Sequence, residues 1–275
     1  MKSFMRFPNG KAKAVTLSFD DGVKADIRLV EKLKELGMRA TFNLNSGFMG
    51  DPDRKDETGN NILSKEECIE LYKHPNFEVA SHAKNHAHLG RIPVFEIVSE
   101  IIEDRRELEK MFGVPIRGFA YPYGVFTTET EAAARLCGIA YSRTCSSHHD
   151  FLLPSDWLAW GPTCHYCERD IPELLERFNA LAPEHDPKLF YLWAHSYECD
   201  LNDNWDALFD YLEKLSGHDD IWYATNLEIC DYVHAFEQLR FSVDESIVQN
   251  PTALSVWIAK DGTIYEIKPN ETIKI

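Results

Sequence analysis

The sequence predicts an α/β protein: a barrel of parallel strands and helices followed by a small C-terminal antiparallel β appendage. Three observations carry this. Short β-branched or aromatic runs alternate with helical patterns from residue 13 to about residue 236. The runs are apolar on both faces, as strands of a parallel sheet covered by helices must be. Beyond Phe236 the pattern changes to short strands separated by QNP, KDG and KPN. Seven parallel strands suggest a closed or nearly closed barrel. The expected division is residues 1–238 for the barrel and 239–275 for the appendage, which should pack on the barrel because no flexible stretch joins them.

The elements follow in order. AVTLSF (14–19) leads into a helix at 27–36, where Ile27, Val30, Leu33 and Leu36 recur at helical spacing and Gly37 supplies the stop. RATFNLN (39–45) is the second strand, followed by a polar loop through residues 50–60. Ser64, with Glu67 three residues on, reads as a capping box opening a helix at 65–73. FEVASH (77–82) is the third strand, and Pro93 begins a long helix to about Phe112 that Gly113 ends. GFAYP (118–122), IAYSRT (139–144), LFYLWAH (189–195) and IWYAT (221–225) supply four further strands, with helices near 128–137, 172–181, 204–215 and 227–236. In the appendage LRFSV, ALSVWIA, TIYEI and ETIKI read as strands, with Asp261-Gly262 as a hairpin turn.

Composition narrows the function. The chain has 275 residues, 44% of them hydrophobic, enough for one large core. A formal charge of −16 argues against a nucleic-acid or anionic-membrane surface, because phosphate binding draws its affinity from clustered Lys and Arg. The first residues lack the apolar core of a signal peptide, and no stretch reaches the roughly 18 apolar residues of a membrane span, so a soluble cytoplasmic protein is expected. Seven scattered cysteines suit reduced thiols better than a disulfide framework. Cys164 and Cys167 have redox spacing but no matching second pair, which favours idle thiols.

Chemistry concentrates at predicted strand ends. The first strand closes in Ser18-Phe19-Asp20-Asp21-Gly22, placing two carboxylates at the carboxyl end of a parallel strand, where α/β barrels keep their active sites. Two buried carboxylates side by side oppose each other's ionisation unless a cation is bound or one is neutralised. One Asp capping the next helix is the simpler reading of that motif alone. The third strand runs into His82-Ala83-Lys84-Asn85-His86-Ala87-His88. On a turn of helix or helical loop, the i, i+4 spacing of His82 and His86 brings both rings to one side, as a divalent metal requires; His88 competes as second ligand. Two His and a carboxylate leave coordination positions open, the arrangement of a catalytic metal site. The strand LFYLWAH ends in His195, a third ligand or an acid.

These residues resemble the polysaccharide deacetylases of carbohydrate esterase family 4, which share the NodB homology domain. The match covers roughly residues 13–235 and rests on order: a TFDDG-like element (Ser18–Gly22), an H-S/T-x-x-H element (His82–His86), a PYG element (Pro122-Tyr123-Gly124) and a late L-x-H element whose His is His195. The resemblance implies a distorted (β/α)7 TIM-like barrel. It implies Asp21, His82 and His86 as ligands of a divalent metal, usually Zn, with Asp20 as general base, Tyr123 offering its backbone N–H to the oxyanion, and His195 as the acid that protonates the departing amine. Asn45, Trp157 and His165 are further candidates for substrate contact.

The sequence departs from the family pattern in three places. The Arg that usually stands three residues before the motif Tyr is Ala120, so Asp20 should keep a higher pKa than in typical members unless another cation approaches. The Ser/Thr after the first motif His is Ala83, which removes a hydroxyl that could brace the ligand loop. The Asp-Trp element that steadies the acid His has only Asp156-Trp157 as counterpart, in a loop headed by Pro154. The leading expectation is hydrolysis of an N-acetyl group on an amino sugar or oligosaccharide. The same chemistry would cleave a formamide or small cyclic amide. A non-catalytic carbohydrate- or metal-binding barrel is the alternative of another class, favoured by the missing Arg.

Overall fold

The computed structural model describes residues 3–49, 55 and 61–275, so the loop expected at 50–60 lies, apart from Lys55, outside the described residues. Strand β1 (Phe4–Arg6) precedes β2 (Lys13–Asp20), every residue of which is buried, as a strand covered on both faces must be. Helix α1 (Asp26–Glu35) turns Leu29, Val30 and Leu33 inward. Then come β3 (Ala40–Leu44), α2 (Lys65–Tyr72), β4 (Phe77–Ser81), α3 (Val94–Phe112), β5 (Gly118–Ala120), α4 (Thr128–Leu136) and β6 (Tyr141–Arg143). The capping box of α2 is present, with Ser64 and Glu67 each accepting a backbone N–H of the other, and Gly113 ends α3 at φ 70°. The second half of the chain gives β7 (Cys164–His165), α5 (Ile171–Ala180), β8 (Lys188–Ala194), α6 (Tyr197–Leu201), α7 (Trp205–Leu215), β9 (Ile221–Tyr223) and α8 (Asn226–Glu237).

The strands form one curled parallel sheet in the order β6-β5-β4-β3-β2-β8-β7, with helices packed on it. The expected α/β architecture is therefore present, with all seven expected strands in the sheet and one more, β7, that was not expected. Ile221–Tyr223 pairs only with Lys13–Val15 at the start of β2, while β3 pairs with Ser18–Asp20 at its end. The strand beyond β8 is the two-residue β7, inside a segment the sequence presents as a Gly/Pro loop. Trp160 exchanges backbone hydrogen bonds with Ser142 and Thr144 beside β6, and Thr163 and Tyr166 donate to Tyr191 and Trp193 of β8. Residues 160–166 thus connect the two sides of the curl, and so short a strand carries no readable alternation.

Beyond α8 lie β10 (Arg240–Phe241), β11 (Ile247–Gln249), β12 (Val256–Lys260), β13 (Thr263–Ile267) and β14 (Thr272–Lys274). They build two antiparallel sheets, β10-β11-β14 and β1-β12-β13; the second takes in the strand nearest the amino terminus. The β12–β13 hairpin turns at Asp261 (φ 52°) and Gly262 (φ 79°), the paired positive φ values of a type I′ turn. Val256, Ile258 and Ile267 are fully buried in one cluster with Met5, Phe7, Ala14 and Tyr191, so the appendage and the barrel share a core. Each such side chain contributes about 1.5–3 kcal/mol. No helix among the described residues is long and apolar enough to cross a membrane.

Candidate active site

The carboxyl ends of β2, β4, β5 and β8 converge on a cleft of roughly 350 Å³, lined by Asp20, Asp21, His82, His86, Tyr123 and His195 together with Phe48, Tyr121, Cys145, Trp193 and Tyr197. Four of its backbone turns are left-handed: Asp21 (φ 78°), Ala83 (60°), His86 (51°) and Tyr123 (60°). A non-glycine residue there costs on the order of 1 kcal/mol or more, so surrounding structure must hold each one. The Asp21 N–H donates to Asn43 O at 3.0 Å, and Gly47 N–H donates to Lys84 O at 2.8 Å. At Gly124 (φ 65°), directly after Tyr123, an added Cβ would lie 2.5 Å from Cys145, so only glycine lets this turn close.

His82 and His86 do not sit on the turn of helix or helical loop that their spacing had suggested. They belong to an irregular loop whose two left-handed residues bring the rings together at 4.8 Å between centroids. His82 Nε2 and His86 Nε2 lie 3.7 and 3.8 Å from Asp21 Oδ1. Asp21, His82 and His86 thus form a group with the spacing and donor set to hold a metal ion. His88 is turned away from this group and stacks on the Tyr123 ring at 5.4 Å. His82 Nδ1 is 2.8 Å from Ala120 O, which fixes the proton on Nδ1 and turns the Nε2 lone pair toward Asp21. Burial lowers the His82 pKa to about 3 despite the nearby Asp20, so the ring is neutral, as a ligand must be.

The cation beside Asp20 comes from an unexpected strand. Arg143, fully buried at the end of β6, donates through a terminal guanidinium nitrogen to Asp20 Oδ2. Ala120 and Arg143 are register partners in the β5–β6 pair, so the guanidinium enters at the level of the missing Arg but one strand over. It stacks on Trp193, 4.3 Å from the ring centroid. The Asn43 amide donates to Asp20 Oδ1 at 2.8 Å. Burial alone would raise the Asp20 carboxyl. Arg143, aided by His82, His195 and Asn43, instead holds it well below the usual carboxylate range, so the exception attached to the expected higher pKa, another approaching cation, is what the structure shows.

His195 faces Asp20 and Asp21 with Nε2, at 3.8 and 3.9 Å, and faces Glu198 with Nδ1, at 3.3 Å. Burial would lower its pKa, but Glu198, Asp21 and Asp20 outweigh that and raise it to about 9. Glu198 is therefore the carboxylate beside His195. Asp156 is not: it caps a short turn, accepting from Leu158 N at 2.9 Å.

Three expected substrate contacts are corrected. Asn45 is buried, and its amide donates to His82 O and, at 2.7 Å, to Ala83 O, bracing the ligand loop where Ala83 lacks a hydroxyl. Trp157 packs edge-on against Trp160 at 5.0 Å and beside His234, outside the cleft. His165 stands behind Glu198, its Nε2 2.9 Å from Oε2, and does not line the cleft. Arg143 and Glu198 escaped the sequence reading. An Arg inside the apolar run IAYSRT was the available signal, since a guanidinium buried in a strand requires a carboxylate partner.

Residues 8–142 match the family model described as polysaccharide deacetylase. Among curated proteins no match was found. A putative polysaccharide deacetylase from Mycobacterium smegmatis is 17% identical with a TM-score of 0.61, over 86% of this chain and 95% of that one. A family 4 carbohydrate esterase from Streptomyces lividans, solved in complex with acetate, is 14% identical with a TM-score of 0.50, over 77% of this chain and 92% of that one. The deacetylase PplD from Streptococcus pyogenes, also in complex with acetate, is 21% identical with a TM-score of 0.42 over 47% of this chain; the match spans about half (55%) of that protein. The first two similarities establish the fold.

Proposed function

Residues 8–142 of this chain belong to the polysaccharide deacetylase family, and from that premise we propose a metal-dependent hydrolase that removes N-acetyl groups from an amino sugar or oligosaccharide. The observation that carries this is a pair of titratable groups pushed apart across one ligand cluster. Asp20 is held ionised by Arg143, and His195 is held protonated 3.8 Å away. One is suited to take a proton and the other to give one.

Asp21, His82 and His86 are the residues that would hold the cation, and their two imidazoles and one carboxylate fit zinc. When bound, such a cation supplies Lewis acidity, making water a stronger acid and drawing charge from the acyl oxygen. The chain's own groups do the rest. Asp20 takes the proton of the attacking water, with Arg143 and Asn43 fixing its carboxylate. Tyr123, on the rim of the cleft, offers its backbone N–H where negative charge develops. His195 delivers its Nε2 proton to the departing amine, which is too basic to leave as an anion. Arg143 also removes the one feature that favoured a non-catalytic barrel, the lack of a cation beside the base.

Acetate release from a panel of N-acetylated amino sugars, with and without added zinc, tests the proposal. Asp20→Asn should retain bound metal and lose roughly a thousandfold in turnover, whereas His82→Ala should lose both metal and turnover. Equal acetate release by wild type and Asp20→Asn would sink the assignment.

A further inference from the structure

Behind His195, on the side away from Asp20 and Asp21, a second set of metal-ligating atoms meets. His165 Nε2 and His195 Nδ1 converge on the Glu198 carboxylate, at 2.9 Å from Oε2 and 3.3 Å from Oε1. One ligand atom from each residue lies within 4.8 Å of the other two. We propose that His165, His195 and Glu198 bind a divalent transition metal, zinc above all, and that an ion here inhibits the enzyme instead of serving it.

Two independent observations point to a ligand. The first is spacing: tetrahedral zinc with bonds of about 2.0–2.1 Å holds neighbouring ligand atoms roughly 3.3 Å apart, close to both contacts with Glu198. The second is satisfaction. His165 Nε2 and His195 Nδ1 are both buried, and each meets the Glu198 carboxylate as an ion pair that lies off the line of a good hydrogen bond. A buried ring nitrogen poorly aimed at its partner forfeits part of that hydrogen bond, and a cation that takes the place of the proton between ring and carboxylate recovers it. Two imidazoles and a carboxylate are a ligand set that zinc prefers, with a fourth position left for water. The three side chains are 17%, 19% and 24% exposed, so an ion can enter from solvent. The opposing term is small. Cys167 N–H donates to His165 Nδ1 at 3.4 Å, a long bond lost when the ring's proton moves to Nδ1 to free Nε2.

The consequence for turnover follows from the two nitrogens of one ring. An ion on Nδ1 takes that lone pair, so His195 releases its Nδ1 proton to water and keeps only the one on Nε2. The ring is then a neutral imidazole and no longer an imidazolium that can protonate an amine. Inhibition rests on His195 acting as the proton donor, as proposed above; binding does not.

Stepwise zinc titration of metal-free protein, with stoichiometry read by a competing chromophoric chelator, tests the site. The wild type should take up two equivalents, and His82→Ala and His165→Asn one each, with folding of every variant checked by circular dichroism. Acetate release by wild type should rise with the first equivalent and fall with the second, while His165→Asn should rise and stay up. A wild type that binds one equivalent, lost in His82→Ala and kept in His165→Asn, overturns the second site and leaves the deacetylase reading standing. One equivalent lost in His165→Asn and kept in His82→Ala supports the second site and sinks the first. Equal inhibition of wild type and His165→Asn by excess zinc overturns the inhibitory role.

Discussion

Two carboxylates buried at the same end of the barrel, Asp20 and Asp26, have their pKa values pushed in opposite directions. Both are almost fully enclosed, Asp20 at 1% exposure and Asp26 at 0%. Asp26, in the first turn of α1, accepts hydrogen bonds from Tyr72, at 2.5 Å, and from the Ser196 hydroxyl next to His195. Burial outweighs these two hydroxyls and pushes its pKa up to about 7. Asp20 has the Asn43 amide and, above all, the Arg143 guanidinium, and stays ionised. Neutral donors soften the cost of a buried charge; a contacting cation reverses it. The guanidinium beside Asp20 is thus the largest of the contacts that keep a fully buried base ionised.

The largest expected effect comes from making the first carboxylate resemble the second. Arg143→Gln leaves Asp20 with amide donors alone and should lower kcat about 10–100-fold while metal content stays near wild type. Arg143→Lys should restore part of the loss, and steady-state kinetics beside elemental analysis decides it: an unchanged kcat would mean that Asp20 does not need the cation. A second effect, outside catalysis, falls on stability. The folded chain binds the Asp26 proton more tightly than the unfolded chain, whose value lies near 3.8. Stability from this group is therefore greatest in acid, falls as pH rises toward about 7 and then levels, with a total loss of roughly 4 kcal/mol. Urea denaturation of Asp26→Asn at about pH 5 and about pH 8 should show a shallower decline than wild type; an identical slope would show that Asp26 is ionised throughout. The smallest effect belongs to Tyr72→Phe, which removes one donor to the Asp26 carboxylate. It should cost about 1 kcal/mol and move the decline to higher pH, because the lost hydrogen bond favoured the charged form; a shift to lower pH would contradict the contact.

The sequence showed the site's components more readily than their supports. Asp20, Asp21, His82, His86, Tyr123 and His195 stand at strand ends within recognisable patterns, and the parallel architecture delivers strand ends to one face. Their supporting residues depend on pairings that a linear reading does not fix. Arg143 reaches Asp20 because β5 and β6 align Ala120 with Arg143, a register decided by the fold. Asn45 has the polarity of a substrate contact, but its inward position turns the amide onto the carbonyls of His82 and Ala83. His165 lies on a two-residue strand that no periodicity could reveal. Trp157 is a reminder that an aromatic near a cleft in sequence often belongs to a core in space.

The pairing of β1 with β12 joins two strands that lie far apart in the sequence, with Phe4 opposite Ala259. During synthesis Met5 and Phe7 emerge long before their apolar partners Val256, Ile258 and Ile267. The emerging barrel therefore carries a bare apolar surface, which must be shielded from other chains until the β12–β13 hairpin arrives to cover it.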